Sequence, residues 1–139
     1  MSLDIVITDS DLNENVDDKH FWTGQRIEID EWQELFENVL HAPVEIERFE
    51  NESGNELLER REKLFKEHLA GKGYQMLGRV WYIFRDAFYA PAEVNKLLEE
   101  CLNIQRKTEN EQAVSALEKL VFACDEALKA KSGIMLVCD

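Results

Sequence analysis

Two short apolar runs, LDIVIT at residues 3–8 and IMLVC at residues 134–138, stand at opposite ends of a 139-residue chain whose middle is patterned for helices. Both have the length and composition of strands, and each is the other's natural partner, since no other segment reads as well. The expected fold is therefore α+β and mainly helical, with four to five helices packed around a small sheet that includes both chain termini. At this length residues 1–139 form a single globular domain, and 45% hydrophobic residues supply its core.

Residues 9–24 are rich in turn formers and read as a loop, and QRIEID after them as a second short strand or an extended segment. From there the chain follows a helical period. Asp30 is placed to cap a helix whose apolar face holds Trp32, Leu35, Phe36, Val39 and Leu40, ending before Pro43. VEIERFE, residues 44–50, reads as an exposed edge strand or a loop. Ser53 or Asn55 opens the next helix, with Leu57, Leu58, Phe65, His68 and Leu69 on its stripe and Gly71 and Gly73 at its end. Residues 74–90, YQMLGRVWYIFRDAFYA, are apolar over most of a helical circumference. They are predicted to form the central helix, with Leu77, Val80, Trp81, Phe84 and Phe88 on one side and Gly78 allowing a close neighbour. Arg85 and Asp86 within it call for salt bridges. Pro91 suits the first turn of a further helix. Thr108 and Glu111 form a capping box for the last one, which carries Val114, Leu117, Leu120, Val121, Cys124 and Leu128 inward and stops at Gly133.

Cys101, Cys124 and Cys138 are odd in number and lack metal-binding spacing, so they read as buried thiols. His20, His41 and His68 show no ligand pattern, and His68, on an apolar stripe, reads as a hydrogen-bonded structural residue. No apolar run approaches the roughly 20 residues of a membrane helix, and no basic-then-apolar leader is seen, which predicts a cytoplasmic protein. No cofactor or metal is expected.

The net charge of −13 is unevenly placed. Residues 1–60 hold 17 acidic residues against Lys19, Arg26, Arg48 and Arg60, whereas residues 61–139 hold 12 of each sign. The whole excess sits in the first 60 residues, which argues against binding nucleic acid or an anionic surface and for a basic protein partner. The candidate partner-binding residues are Asp9, Asp11, Asp17, Asp18, Glu28, Glu45, Glu47 and Glu50, with Phe21 and Trp22 among them. Carboxylates around aromatics make a docking surface, the charges speeding association and the rings anchoring it. The alternative is a solvated acidic face with Phe21 and Trp22 packed inward.

Asp9 and Asp11 also permit a second reading. An Asp-x-Asp pair after a short strand is how a haloacid-dehalogenase-type phosphatase presents its nucleophile and general acid, with Mg²⁺ nearby. That chemistry further needs several parallel strands and a Ser or Thr, a Lys and another acidic pair, which the helical pattern after residue 50 does not offer. A regulatory or scaffold domain with an unrelated partner is the third reading.

The C-terminal half, from GRVWYIFRDAFYAPAEVNKLLEECLNIQRK through ALEKLVFACDEALKAKSGIMLVCD, resembles the closing portion of small bacterial immunity proteins of toxin–antitoxin conflict systems. There an aromatic segment leads to xPxEVxxLLxE, then to a long helix and a short apolar strand ending in Asp. The resemblance implies a cytoplasmic, non-enzymatic inhibitor, acidic because many cognate toxins are basic nucleases. It carries over no individual residue, since such surfaces vary with the toxin.

Overall fold

The computed structural model describes residues 1–8 and 20–138, and for residues 20–22 the backbone alone. Strand β1 spans Ser2–Thr8, β2 His20–Glu28, β3 Ala87–Tyr89 and β4 Gly133–Cys138. They form one antiparallel sheet in the order β2-β1-β4-β3, so the two runs at the chain ends make its central pair. The register sets Leu3, Ile5 and Ile7 of β1 opposite Cys138, Leu136 and Ile134. With Ala87 and Tyr89 of β3, these residues put one face of the sheet into the core. The β1–β2 register shifts between Asp4 and Val6. There Thr23 donates its hydroxyl to the Ile5 carbonyl (2.9 Å), and Gly24 takes the positive φ of 79° that the kink requires.

Four α-helices are found among the described residues, as the helical pattern implied. Helix α1 (Ile29–Gln33) runs into a π-helical turn, Glu34–Val39. Helix α2 spans Gly54–Gly71, α3 Pro91–Gln105 and α4 Glu111–Ala130. Helices α1, α3 and α4 pack on the core face of the sheet, and α2 packs beside them against the turn at 77–80. Ser53 is the cap of α2, its hydroxyl accepting from the Glu56 amide at 3.1 Å, and Pro91 occupies the first turn of α3. Buried alanines at 113, 116, 123 and 127 give α4 a flat inner face that lets its neighbours come close. Trp32, Phe36 and Phe65 stack in a second part of the same core, and the Trp32 indole donates to the Val80 carbonyl (2.9 Å).

The structure differs from the sequence reading in several places. His20–Gly24, expected in a loop, belong to β2, while residues 44–50 take the loop, the second of their two expected forms. Glu28, not Asp30, is the cap position of α1. Asn110 caps α4 through its side-chain oxygen on the Ala113 amide (3.0 Å), and Thr108 supports Asn110 from behind. Helix α4 stops at a left-handed Lys131, two residues before the expected Gly133, and its stripe is rotated so that Leu128 faces solvent. Gly133 is instead a strand residue, and a β-carbon there would lie 2.4 Å from the Tyr89 carbonyl oxygen.

The largest correction is at residues 74–90, which do not form a central helix. Only Leu77–Val80 turn helically, as a 3₁₀ segment, and the chain then bends into β3. The buried carboxylate of Glu100 on α3 accepts from the Met76 and Leu77 amides (3.1 and 3.0 Å), fixing the turn from outside the segment. The Tyr89 hydroxyl donates to the Met76 carbonyl (2.7 Å), which folds the segment back on itself. Aromatic and β-branched residues lose rotamer freedom in helices and pack well in strands, so tertiary bonds outweigh the apolar pattern. A β-carbon added at Gly78 would lie at ordinary contact distance, 3.5 Å, from the Lys66 backbone, so no close approach depends on the glycine. Asp86 accepts from the Cys138 amide (2.8 Å) and Arg85 lies over Trp81, so the salt bridges expected of this pair are not among the described interactions.

Candidate protein-docking surface

The chain leaves the π-helical turn through a tight reversal. Leu40 closes it, His41 adopts a left-handed φ of 54°, and the Ala42 amide returns to the Phe36 carbonyl at 2.7 Å. His68 on α2 donates its Nε2 proton to the Leu40 carbonyl (2.8 Å), the structural role expected of it. Residues 42–53, leading from this reversal into α2, have no regular structure, yet their backbone is tied down in detail.

Two adjacent arginines of α2 do the tying. Arg61 donates to the Val44 carbonyl (2.7 Å), and Val44 is buried beneath. Arg60 forms a two-pronged pair with Glu52 (2.9 and 2.8 Å) and also reaches the Glu47 carbonyl. Arg48 donates twice to the Glu52 carbonyl, while the Glu52 carboxylate accepts from the Phe49 amide (3.1 Å). The Arg60 guanidinium beside Glu52 holds its carboxyl below the usual carboxylate range, and the Phe49 amide assists. Glu52 is thus the internal anchor of the loop.

That anchoring fixes what the loop shows to solvent. Phe49 is 62% exposed, between Glu47 and Glu50, with Arg60 4.5 Å from its ring centre. Glu45 and Glu50 make no hydrogen bond or ion pair among the described residues. Glu45 also borders a cavity of about 150 Å³ walled by Trp32, Val44, Tyr82, Ile83 and Phe84, with Glu37 on another side. Phe84 is 42% exposed, set edge-on to Tyr82 at 4.9 Å, and Tyr82 is stacked on Trp81 and covered by Arg61. Exposed rings backed by Arg60 at Phe49 and by Tyr82 at Phe84, with the unpaired carboxylates of Glu45 and Glu50 on the same loop as Phe49, are the components of a protein-docking surface.

Of the residues singled out from the sequence, Glu45, Glu47 and Glu50 fall on this one loop. Glu28 sits apart from it at the start of α1, one residue before Ile29, which borders the cavity. Asp9, Asp11, Asp17 and Asp18 lie outside the described residues, as do the side chains of Phe21 and Trp22. The strand pairing bears on Asp9 and Asp11 indirectly: all three described pairings are antiparallel, whereas the phosphatase reading needs several parallel strands.

Sequence reasoning misses Phe49 and Phe84, the exposed rings of this surface; Phe122, also exposed, lies on α4. The apolar pattern places Phe84 on the inner side of a helix that does not form. Phe49 reads as one position of an irregular alternation, although a lone aromatic inside ERFENE is itself a signal. Among the described residues no helix is long and apolar enough to cross a membrane. The three cysteines are unpaired, and burial pushes the Cys101 thiol well up and the Cys124 thiol up to about 12, so both stay protonated. No family model, no curated protein and no solved structure matches the chain.

Proposed function

We propose that this chain is a cytoplasmic protein-binding inhibitor that caps a basic partner with its acidic N-terminal half, the concrete case being the immunity partner of a nuclease-type bacterial toxin. The observation that carries this reading is the loop at 44–52, in which Arg60 and Glu52 hold Phe49 out between Glu47 and Glu50. Ordering a long loop costs conformational entropy, and an ordered loop with an exposed ring binds without that further cost. The segregated charge supports the same reading, since a negative face accelerates encounter with a positive one.

The test is affinity capture from the source cell with the wild-type chain and with Phe49→Ala and Phe84→Ala, followed by kinetics on the captured protein. A basic protein is expected on the wild-type chain, with affinity falling at least about 30-fold for a ring that acts as an anchor. Its association rate is expected to drop steeply with salt, because exposed charges are screened over about 8 Å at physiological ionic strength. Equal capture by both variants, or association indifferent to salt, would remove the reading. A scaffold domain would use the same surface, and loss of the partner's nuclease activity on binding separates an inhibitor from it.

A further inference from the structure

A second concavity, of about 620 Å³, opens where the π-helical turn, α2 and α3 end and α4 begins. Its apolar floor is made by Leu40, Tyr74 and Ile104, all buried. Lys72 and Lys107 stand on its wall, both exposed and neither in an ion pair among the described residues. In a chain of net charge −13, no carboxylate belongs to the lining. The carboxylate adjoining the wall, Glu34, accepts from two lining side chains, the Asn38 and Asn110 amides, at 2.9 and 3.0 Å. Those bonds, Asn38 first, hold its carboxyl below the usual range. Two ammonium groups thus face a space of ligand size without an ion-pair partner among the described residues, and the charge of Glu34 stays on the Asn38 and Asn110 side of it.

We propose that this cleft binds a small organic anion, a carboxylate or phosphate group carried on an apolar or aromatic body. The anionic head lies between Lys72 and Lys107, on the side away from Glu34, and the body covers Leu40, Tyr74 and Ile104. Lysines near helix C-termini also offset the partial negative charge there, and Lys72 is the residue that closes α2. That role accounts for a lysine at each end, but it does not call for a cavity of this size with an apolar floor. The site is separate from the loop at 44–52, and partner capture and anion binding therefore succeed or fail independently.

Phenyl phosphate, phenylacetate and neutral benzyl alcohol, titrated into the full chain and followed by amide NMR shifts, provide the test. Saturable shifts are expected for both anions, clustered on residues 38–40, 72–74 and 104–110, and at much higher concentration for the alcohol. The Lys72→Gln/Lys107→Gln double variant stays folded, with a melting temperature lowered only slightly by the loss of two exposed helix-end charges, and loses at least about tenfold in anion affinity. A preference for phenyl phosphate narrows the class to phosphate esters, and the reverse preference narrows it to carboxylates. Absence of clustered, saturable shifts, an unchanged affinity in the double variant, or equal binding of benzyl alcohol would overturn the proposal.

Discussion

The carboxylates of the interior and those of the loop at 44–52 are the same chemical group in opposite situations. Glu31, buried near the start of α1, accepts from Lys119 (2.7 Å), from the Glu28 amide (2.9 Å) and from the Ser115 hydroxyl, and Lys119 also donates to the Arg26 carbonyl (2.8 Å). Glu100 accepts two backbone amides and fixes a turn. Glu45 and Glu50, by contrast, have no partner among the described residues and contribute nothing evident to the fold. A carboxylate that costs little to leave in water, and is kept beside an exposed ring, is available to another molecule.

Glu100 is where this contrast can be broken most visibly. Replacing it with Ala leaves two buried amides without an acceptor, and we expect a loss of about 3–4 kcal/mol in urea unfolding. A loss below about 1 kcal/mol would mean that the turn at 77–80 holds itself. Next comes Glu31→Ala, which strands a mostly covered Lys119 and is expected to cost about 2–3 kcal/mol, less than a fully buried pair because Lys119 retains some contact with water.

These two groups also predict opposite pH responses. For Glu31, burial opposes ionisation, but the bonds from Lys119 and Ser115 together outweigh it, so its folded pKa is lowered. Its contribution is present above the ordinary carboxylate range and is lost as pH falls through that range towards the lower folded value. For Glu100, burial outweighs the two amide bonds and the folded pKa is raised. Its contribution is full below the ordinary range and is lost as pH rises through the higher folded value. Unfolding free energies of the wild type, Glu31→Gln and Glu100→Gln between about pH 3 and about pH 7 should therefore diverge with opposite slopes. Parallel curves would show that the two sites do not differ in the sense described.

The smallest effect is expected at the surface. Glu45→Gln, Glu47→Gln and Glu50→Gln together should change stability by no more than about 0.5 kcal/mol. The same triple variant should slow association with a basic partner. A clear loss of stability would place these carboxylates among the fold-holding ones and sharpen the contrast away from Glu45 and Glu50.

Much of this architecture can be read from residue pattern alone, where local chemistry and tertiary structure agree. The strands at 3–8 and 134–138, the Ser53 cap, Pro91 in the first turn of α3 and the role of His68 belong to this class. Residues 74–90 do not, because their conformation is dictated by Glu100, 24 residues beyond Met76, and no periodicity contains that bond. The acidic character of the loop is legible in Glu45, Glu47 and Glu50. Its order is not, since it depends on Arg60 and Glu52 meeting across a turn. The cleft beside Lys72 and Lys107 is a product of where three helical segments end, which a linear pattern does not encode.

The central pairing of β1 with β4 has a consequence for the order in which the molecule is made. Leu3, Ile5 and Ile7 are translated before every helix described, but their partners at Ile134, Leu136 and Cys138 only after all of them. Until then β1 can pair only with β2, and its other edge stays open while α1 to α4 are already synthesised. Such distant pairing slows folding and leaves an exposed strand edge on the nascent chain. Completion of the sheet thus waits until all four helices have been synthesised, and the nascent chain is most exposed to aggregation before β4 emerges.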